Sequence, residues 1–217
     1  MSAWPRAIDV RADPDAHMAE VIEQLAAGGL IAYPTETVYG LGGAVTHAAV
    51  ERVRACKGGE PGKPLIALVA SVDAVSGLRW TAAARELARL FWPGPLTLVL
   101  EDPLGIFPPG VRGEDTHAVG VRVSPHPLVA RLVEGLGGPL TSTSLNVPGE
   151  SPAASGGEAL EVVRRLGARE VLVLDAGTLS PSRSSSVVDC TGEVPVVIRE
   201  GAVPTSRLRC AVPEIHG

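Results

Sequence analysis

Aromatic residues are scarce in this chain: Phe, Trp and Tyr make up 3% of its 217 residues. Its core must rest on Val, Leu, Ile and Ala, and a hydrophobic content of 45% is enough for a sizeable one. Cysteine is equally rare. Cys56, Cys190 and Cys210 form no Cys-x-x-Cys pair, and an odd count argues against a disulfide framework. The five histidines, His17, His47, His117, His126 and His216, lack the spacing of a structural zinc site. No apolar run reaches the ~20 residues a membrane helix needs, and the N-terminus has no signal-peptide core. The expectation is a cytoplasmic protein that makes no membrane contact. Positive charge is not in excess either: 19 Lys+Arg against 24 Asp+Glu give a net −5. That speaks against a generally basic nucleic-acid binder and leaves a local basic patch open. Charge forms no long block of one sign, so no disordered tail is expected.

Glycine and proline, by contrast, are plentiful at 25 and 19 residues, which implies many loops between short elements. Met18, Val21, Ile22 and Leu25 recur at helical spacing and predict a helix over 15–27, capped by Asp13 or Asp15 and stopped by Gly28-Gly29. A buried strand follows at 30–34. Helices are predicted at 47–56 with Thr46 as cap, at 82–91, from Pro127 to about Leu136, and at 157–166. Strands are predicted at 65–69, 96–100, 118–123, 140–144, 171–174, 186–190 and 194–199. Residues 102–116, rich in Pro, Gly and acidic groups, read as a mobile surface loop. The alternation predicts an α/β architecture, one domain over 1–217, with some parallel pairing. No internal repeat or interdomain linker is visible.

The polar segments fall after strands, where crevices form in α/β folds. Tyr33-Pro34-Thr35-Glu36-Thr37-Val38-Tyr39-Gly40-Leu41-Gly42 carries more polar groups than a routine turn needs, and reads as a strand end opening into a pocket. Gly58-Gly59-Glu60-Pro61-Gly62-Lys63-Pro64 is not a Walker A loop, because Pro64 stands where Ser or Thr would bind magnesium. It is either an anion cradle or an exposed basic loop. The hydroxyl-rich runs 141–146 and 182–186 suit a polar ligand or plain turns. Arg122 and Arg199 each close an apolar strand, as snorkelling side chains or as bidentate anion clamps. No Ser-His-Asp order and no nucleophile elbow occurs. Two arginines, two lysines and many hydroxyls instead suit a nucleotide plus a small polar molecule, joined by positioning and charge stabilisation.

Taken together, these segments resemble the YrdC-like family, the threonylcarbamoyl-AMP synthases of tRNA modification. The matching pieces are PTETVYGLG at 34–42, Lys57-Gly58 with Lys63-Pro64-Leu65, WPGPLTLVL at 92–100, VGVRV at 119–123, SLN at 144–146, SSVVD at 185–189 and IREG at 198–201. They span about residues 15–205. The resemblance implies a single twisted mixed sheet with flanking helices around a concave, positively lined cavity, in the short form without the extra C-terminal domain of longer members. It implies synthesis of threonylcarbamoyl-AMP and pyrophosphate from L-threonine, bicarbonate and ATP, with Mg2+ accompanying ATP. Partner proteins would then transfer the threonylcarbamoyl group to tRNA adenosine; tRNA or double-stranded RNA is a further implied partner.

Carried over by position, Thr37, Arg122, Ser142 and Ser185 resemble the threonine contacts. Ser144, Ser151 and Arg199 resemble the ATP contacts. Lys57 and Asn146 correspond to members of the family's Lys-x-Arg and Ser-x-Asn groups around the phosphates. Departures are local. Lys-x-Arg reads Lys57-Gly58-Gly59, so its arginine is missing, and Lys63 is the expected substitute cation at the nucleotide. A histidine common in the family is Leu68 here, and a nucleotide-contacting threonine is Ala118. The competing reading is a YrdC-like paralogue that binds RNA or nucleotide without the synthase reaction. A carbamoyl-AMP-forming module of the hydrogenase-maturation type is a third, with chain length against it.

Overall fold

The structure, a computed structural model, describes residues 5–58 and 64–217. Ten strands form one sheet: β1 (Arg6–Asp9), β2 (Leu30–Pro34), β3 (Tyr39–Gly42), β4 (Ile66–Leu68), β5 (Leu96–Glu101), β6 (Ala118–Arg122), β7 (Leu140–Ser144), β8 (Val171–Asp175), β9 (Ser186–Asp189) and β10 (Val196–Arg199). Their order is β1-β8-β2-β3-β7-β4-β6-β5-β9-β10. Pairing is mixed: β1/β8, β2/β8, β4/β6 and β5/β9 are parallel, and the other neighbours are antiparallel.

Among the described residues six α-helices cover the sheet: α1 (Met18–Ala26), α2 (His47–Cys56), α3 (Ala82–Phe91), α4 (Pro127–Leu136), α5 (Gly156–Arg165) and α6 (Thr205–Ala211). The period-2 pleat divides the apolar residues between two faces. Ile31 and Tyr33 of β2 pack with Val21 and Leu25 of α1 and Leu128 and Leu132 of α4. Their neighbours Leu30 and Ala32 face the other side, with Val50 and Val53 of α2, Leu87 of α3 and Val163 of α5. Each face buries mainly aliphatic side chains, at ~25 cal/mol for each Å2 of apolar surface removed from water.

Local signals set most boundaries. Thr46 Oγ1 accepts from Ala49 N at 3.3 Å and opens α2 where expected. Pro127 takes the first position of α4, and Gly137, at φ 64°, closes it. The first helix starts later than the spacing predicts, at Met18. Asp13 caps the preceding turn instead, accepting from Asp15 N at 2.9 Å and Ala16 N at 3.2 Å.

Two further expectations need correction. The polar stretch after β2 is not simply a strand end: it turns at 35–38 and returns as β3, with Pro34 opposite Tyr39. Residues 102–116 are not a loose surface loop. Asp102, fully buried, accepts from Ile106 N and Phe107 N at 3.0 Å each, and Phe107 and Val111 are buried in the core. Leu65 N donates to Gly110 O at 2.7 Å, tying this segment to the entry of β4.

Candidate active site

The pleat brings the polar residues of separate strands to one face. Ile66 lies opposite Ser142, Leu68 opposite Arg122, and Gly40 opposite Ser144. Ser144 and Ser142 share the parity of Leu140, which packs with the α1/α4 cluster. These positions open into a cavity of about 350 Å3 on that side of the sheet. Eight predicted residues line it: Thr37, Lys57, Arg122, Ser142, Ser144, Asn146, Ser185 and Arg199. Ser151 does not. It lines an adjoining hollow of about 460 Å3 that shares Thr37, Ser184 and Arg199 with the main one. Lys63 and Gly59 lie outside the described residues.

Arg122, 5% exposed, is held from behind by a residue the sequence reading did not single out for a role. Its Nη2 donates to Glu36 Oε2 at 3.0 Å, and Ser124 Oγ donates to the same oxygen at 2.6 Å. Arg122 Nε and Glu36 Oε1 are buried without hydrogen-bond partners. A buried guanidinium with an unused donor is a strong attractor for an anion. Glu36 itself sits in a turn fixed by Thr35, whose Oγ1 accepts from Thr37 N and Val38 N at 3.2 Å each.

Arg199 approaches the cavity from the last strand. Its Nε and Nη2 donate to Ser185 O at 3.1 and 2.8 Å, and Ser185 Oγ lies 3.0 Å from Thr97 Oγ1. Gly201 makes this clasp possible: a Cβ there would stand 2.1 Å from Ser184 O. Ser186 completes it from the core side, its Oγ accepting from Gly201 N at 2.8 Å. Burial holds the Arg199 guanidinium below its ordinary basicity, and the charge of Arg122 adds to the effect. Two cations that repel across one cavity are both stabilised when an anion enters.

The third cation stands at the end of α2. Lys57 Nζ donates to Ser144 O at 3.2 Å and to Asn146 O and Oδ1 at 2.7 Å each. Asn146 Nδ2 is spent on Val147 O at 2.9 Å and Glu150 O at 3.1 Å. Lysine and asparagine thus lock the end of β7 into one conformation. Arg54, one turn before Lys57 on α2, also lines the cavity and was missed from sequence.

The departures resolve simply. Leu68 is buried among Tyr33, Leu128 and Leu140, and Ala118 is 2% exposed. No cysteine among the described residues lines the cavity, and burial pushes the Cys190 thiol up to about 12. Among the described residues, no three His, Cys, Asp or Glu side chains converge as a metal site. The carboxylate beside Arg122 is already engaged. The lining thus offers cations and hydroxyls. No helix among the described residues is long and apolar enough to cross a membrane.

Comparison with known proteins identifies the family. Residues 23–201 match the Sua5/YciO/YrdC family model, whose description reads "telomere recombination". The chain is 31% identical over 207 residues to a threonylcarbamoyl-AMP synthase of Bacillus subtilis, covering 93% of this chain and 58% of that one. It is 40% identical over 177 residues to one of Chromohalobacter salexigens, covering 79% and 91%. The structure of Sua5 from P. abyssi complexed with L-threonine superposes with a TM-score of 0.86 at 31% identity, covering 97% of this chain and 62% of that one. The chain therefore spans little more than half of some relatives and nine-tenths of others. With the family model and the relatives in agreement, the chain belongs to the Sua5/YciO/YrdC family.

Proposed function

We propose that this protein is a threonylcarbamoyl-AMP synthase. It condenses L-threonine, bicarbonate and ATP to threonylcarbamoyl-AMP and pyrophosphate. The observation that carries the reading is the convergence of Arg122 and Arg199 with Thr37, Ser142, Ser144 and Ser185 in one cavity. The names of the relatives and the threonine complex of the P. abyssi protein support it.

Arg122 binds the threonine carboxylate through the donors Glu36 leaves unused, while Thr37, Ser142 and Ser185 surround the amino acid with hydroxyls. The threonine amine attacks the bicarbonate carbon, and its proton leaves with the bicarbonate hydroxyl as water, giving a carbamate. A carbamate oxygen then attacks the α-phosphorus of ATP, the bond to the bridging oxygen breaks, and pyrophosphate leaves. Arg199 offsets charge developing on the α-phosphate. Lys57 and Asn146 hold the end of β7 so that Ser144 meets the nucleotide, with Ser151 in the adjoining hollow and Lys63 as a further cation toward ATP. Mg2+ bound to ATP would neutralise phosphate charge. The product is consumed in the cytoplasm by proteins that transfer the threonylcarbamoyl group to tRNA.

Mass spectrometry of a reaction containing the protein, all three substrates and magnesium tests this directly. The expected product is threonylcarbamoyl-AMP, absent when threonine is replaced by serine. ATP consumption without that product contradicts the proposal.

A further inference from the structure

We infer that Arg54 is a polyphosphate-binding residue of this cavity and supplies donors that Lys57 has already committed. This rests on the reading above that the cavity takes ATP. Arg54 lies in the last turn of α2 and Lys57, three residues on, is its C-cap, so their side chains leave the same side of the helix end. An ammonium has three protons, and Lys57 has three oxygens within hydrogen-bond range on Ser144 and Asn146. These bonds organise the protein.

Arg54 is arranged differently. Its ion-pair partner is Glu51, at 3.5 Å, the outer limit of a hydrogen bond, and its side chain is 24% exposed. Most of its five N–H donors therefore remain available. The stem is nonetheless fixed. Gly110, at φ 87°, lies so close that a Cβ there would stand 3.3 Å from Arg54 Nη1 and 2.7 Å from Val50 Cγ1. The Gly110 carbonyl is in turn tied to Leu65 N. A braced guanidinium with open donors, lining a hollow that already holds Arg122 and Arg199, suits a phosphate oxygen better than solvent.

Calorimetric titration with ATP, and separately with inorganic tripolyphosphate, tests this without relying on turnover. Arg54→Ala is expected to weaken both by roughly tenfold to a hundredfold, the loss of a charge-assisted contact. Arg54→Lys should recover part of the affinity. Arg52→Ala removes the same charge from an exposed position of the same helix, and should leave ATP affinity within about twofold, because exposed charges are screened. Melting temperature should hold in Arg54→Ala, since its pair with Glu51 is loose. Equal ATP affinity in wild type and Arg54→Ala, or equal losses in Arg54→Ala and Arg52→Ala, would overturn the inference. A wild-type protein that binds neither probe would overturn it as well. ATP binding lost in Arg54→Ala, in a protein that forms no threonylcarbamoyl-AMP, would uphold the inference and refute the synthase reading.

Discussion

The two ends of the cavity hold their cations by opposite means. At one end Arg122 is buried against a carboxylate, Glu36, which Ser124 also grips. At the other, Lys57 is held by neutral oxygens of Ser144 and Asn146. A carboxylate partner cancels much of a cation's charge while fixing its direction. Neutral oxygens fix the direction without adding an opposing charge of their own. The first arrangement suits a small zwitterion, which needs an oriented donor without a large net field. The second suits a polyanion, for which field strength matters most. Arg199 donates to the Ser185 carbonyl, and burial together with the charge of Arg122 lowers its basicity.

Breaking the carboxylate-backed end should cost most. Arg122→Ala leaves Glu36 buried and unpaired, and should destabilise the fold by about 3–5 kcal/mol while removing threonine binding. Urea unfolding and threonine titration measure the two effects. At the other end, Lys57→Met strands the oxygens at the end of β7. A loss of about 1.5–3 kcal/mol in kcat/KM for ATP is expected, with threonine affinity nearly unchanged. If both substrates weaken equally, the two ends are not distinct.

Gly201→Ala probes the clasp that holds Arg199. Its methyl would collide with the Ser184 carbonyl, and thermal melting should report about 1–3 kcal/mol of destabilisation. Ser185→Ala removes the hydroxyl contact with Thr97 but keeps the carbonyl that binds Arg199. It should cost about 0.5–1.5 kcal/mol, read mainly in threonine KM. A larger effect on ATP would move Ser185 to the nucleotide side.

Much of this was legible in the sequence because the pleat and the helical turn impose regular spacing. Helices α2 and α3 begin and end where Thr46, Thr81 and the Trp92-Pro93-Gly94-Pro95 turn put them. Strand β3 escapes notice because the whole stretch 33–42 reads as one strand end opening into a pocket; Tyr39, Gly40, Leu41 and Gly42 are all buried, so no alternation with solvent exists to reveal a returning strand. Strand β1 and helix α6, at four and seven residues, are too short to carry a periodic signal. The cavity-lining serines and arginines were legible as motifs, but their partners were not. Glu36 and Ser124 meet Arg122 only through the sheet order, with 86 residues separating Glu36 from Arg122. Arg54 looks like an ordinary helix surface residue with Glu51 three positions before it, and only the cavity gives it a different role.

The central claim is that one cavity joins a zwitterion to a nucleotide. Pyrophosphate release by the purified protein, measured with ATP and magnesium while threonine and bicarbonate are omitted in turn, tests it most directly. The account predicts release only when both are present, and none when serine replaces threonine. Release that is indifferent to threonine, or no release from a protein that still binds ATP, would contradict it.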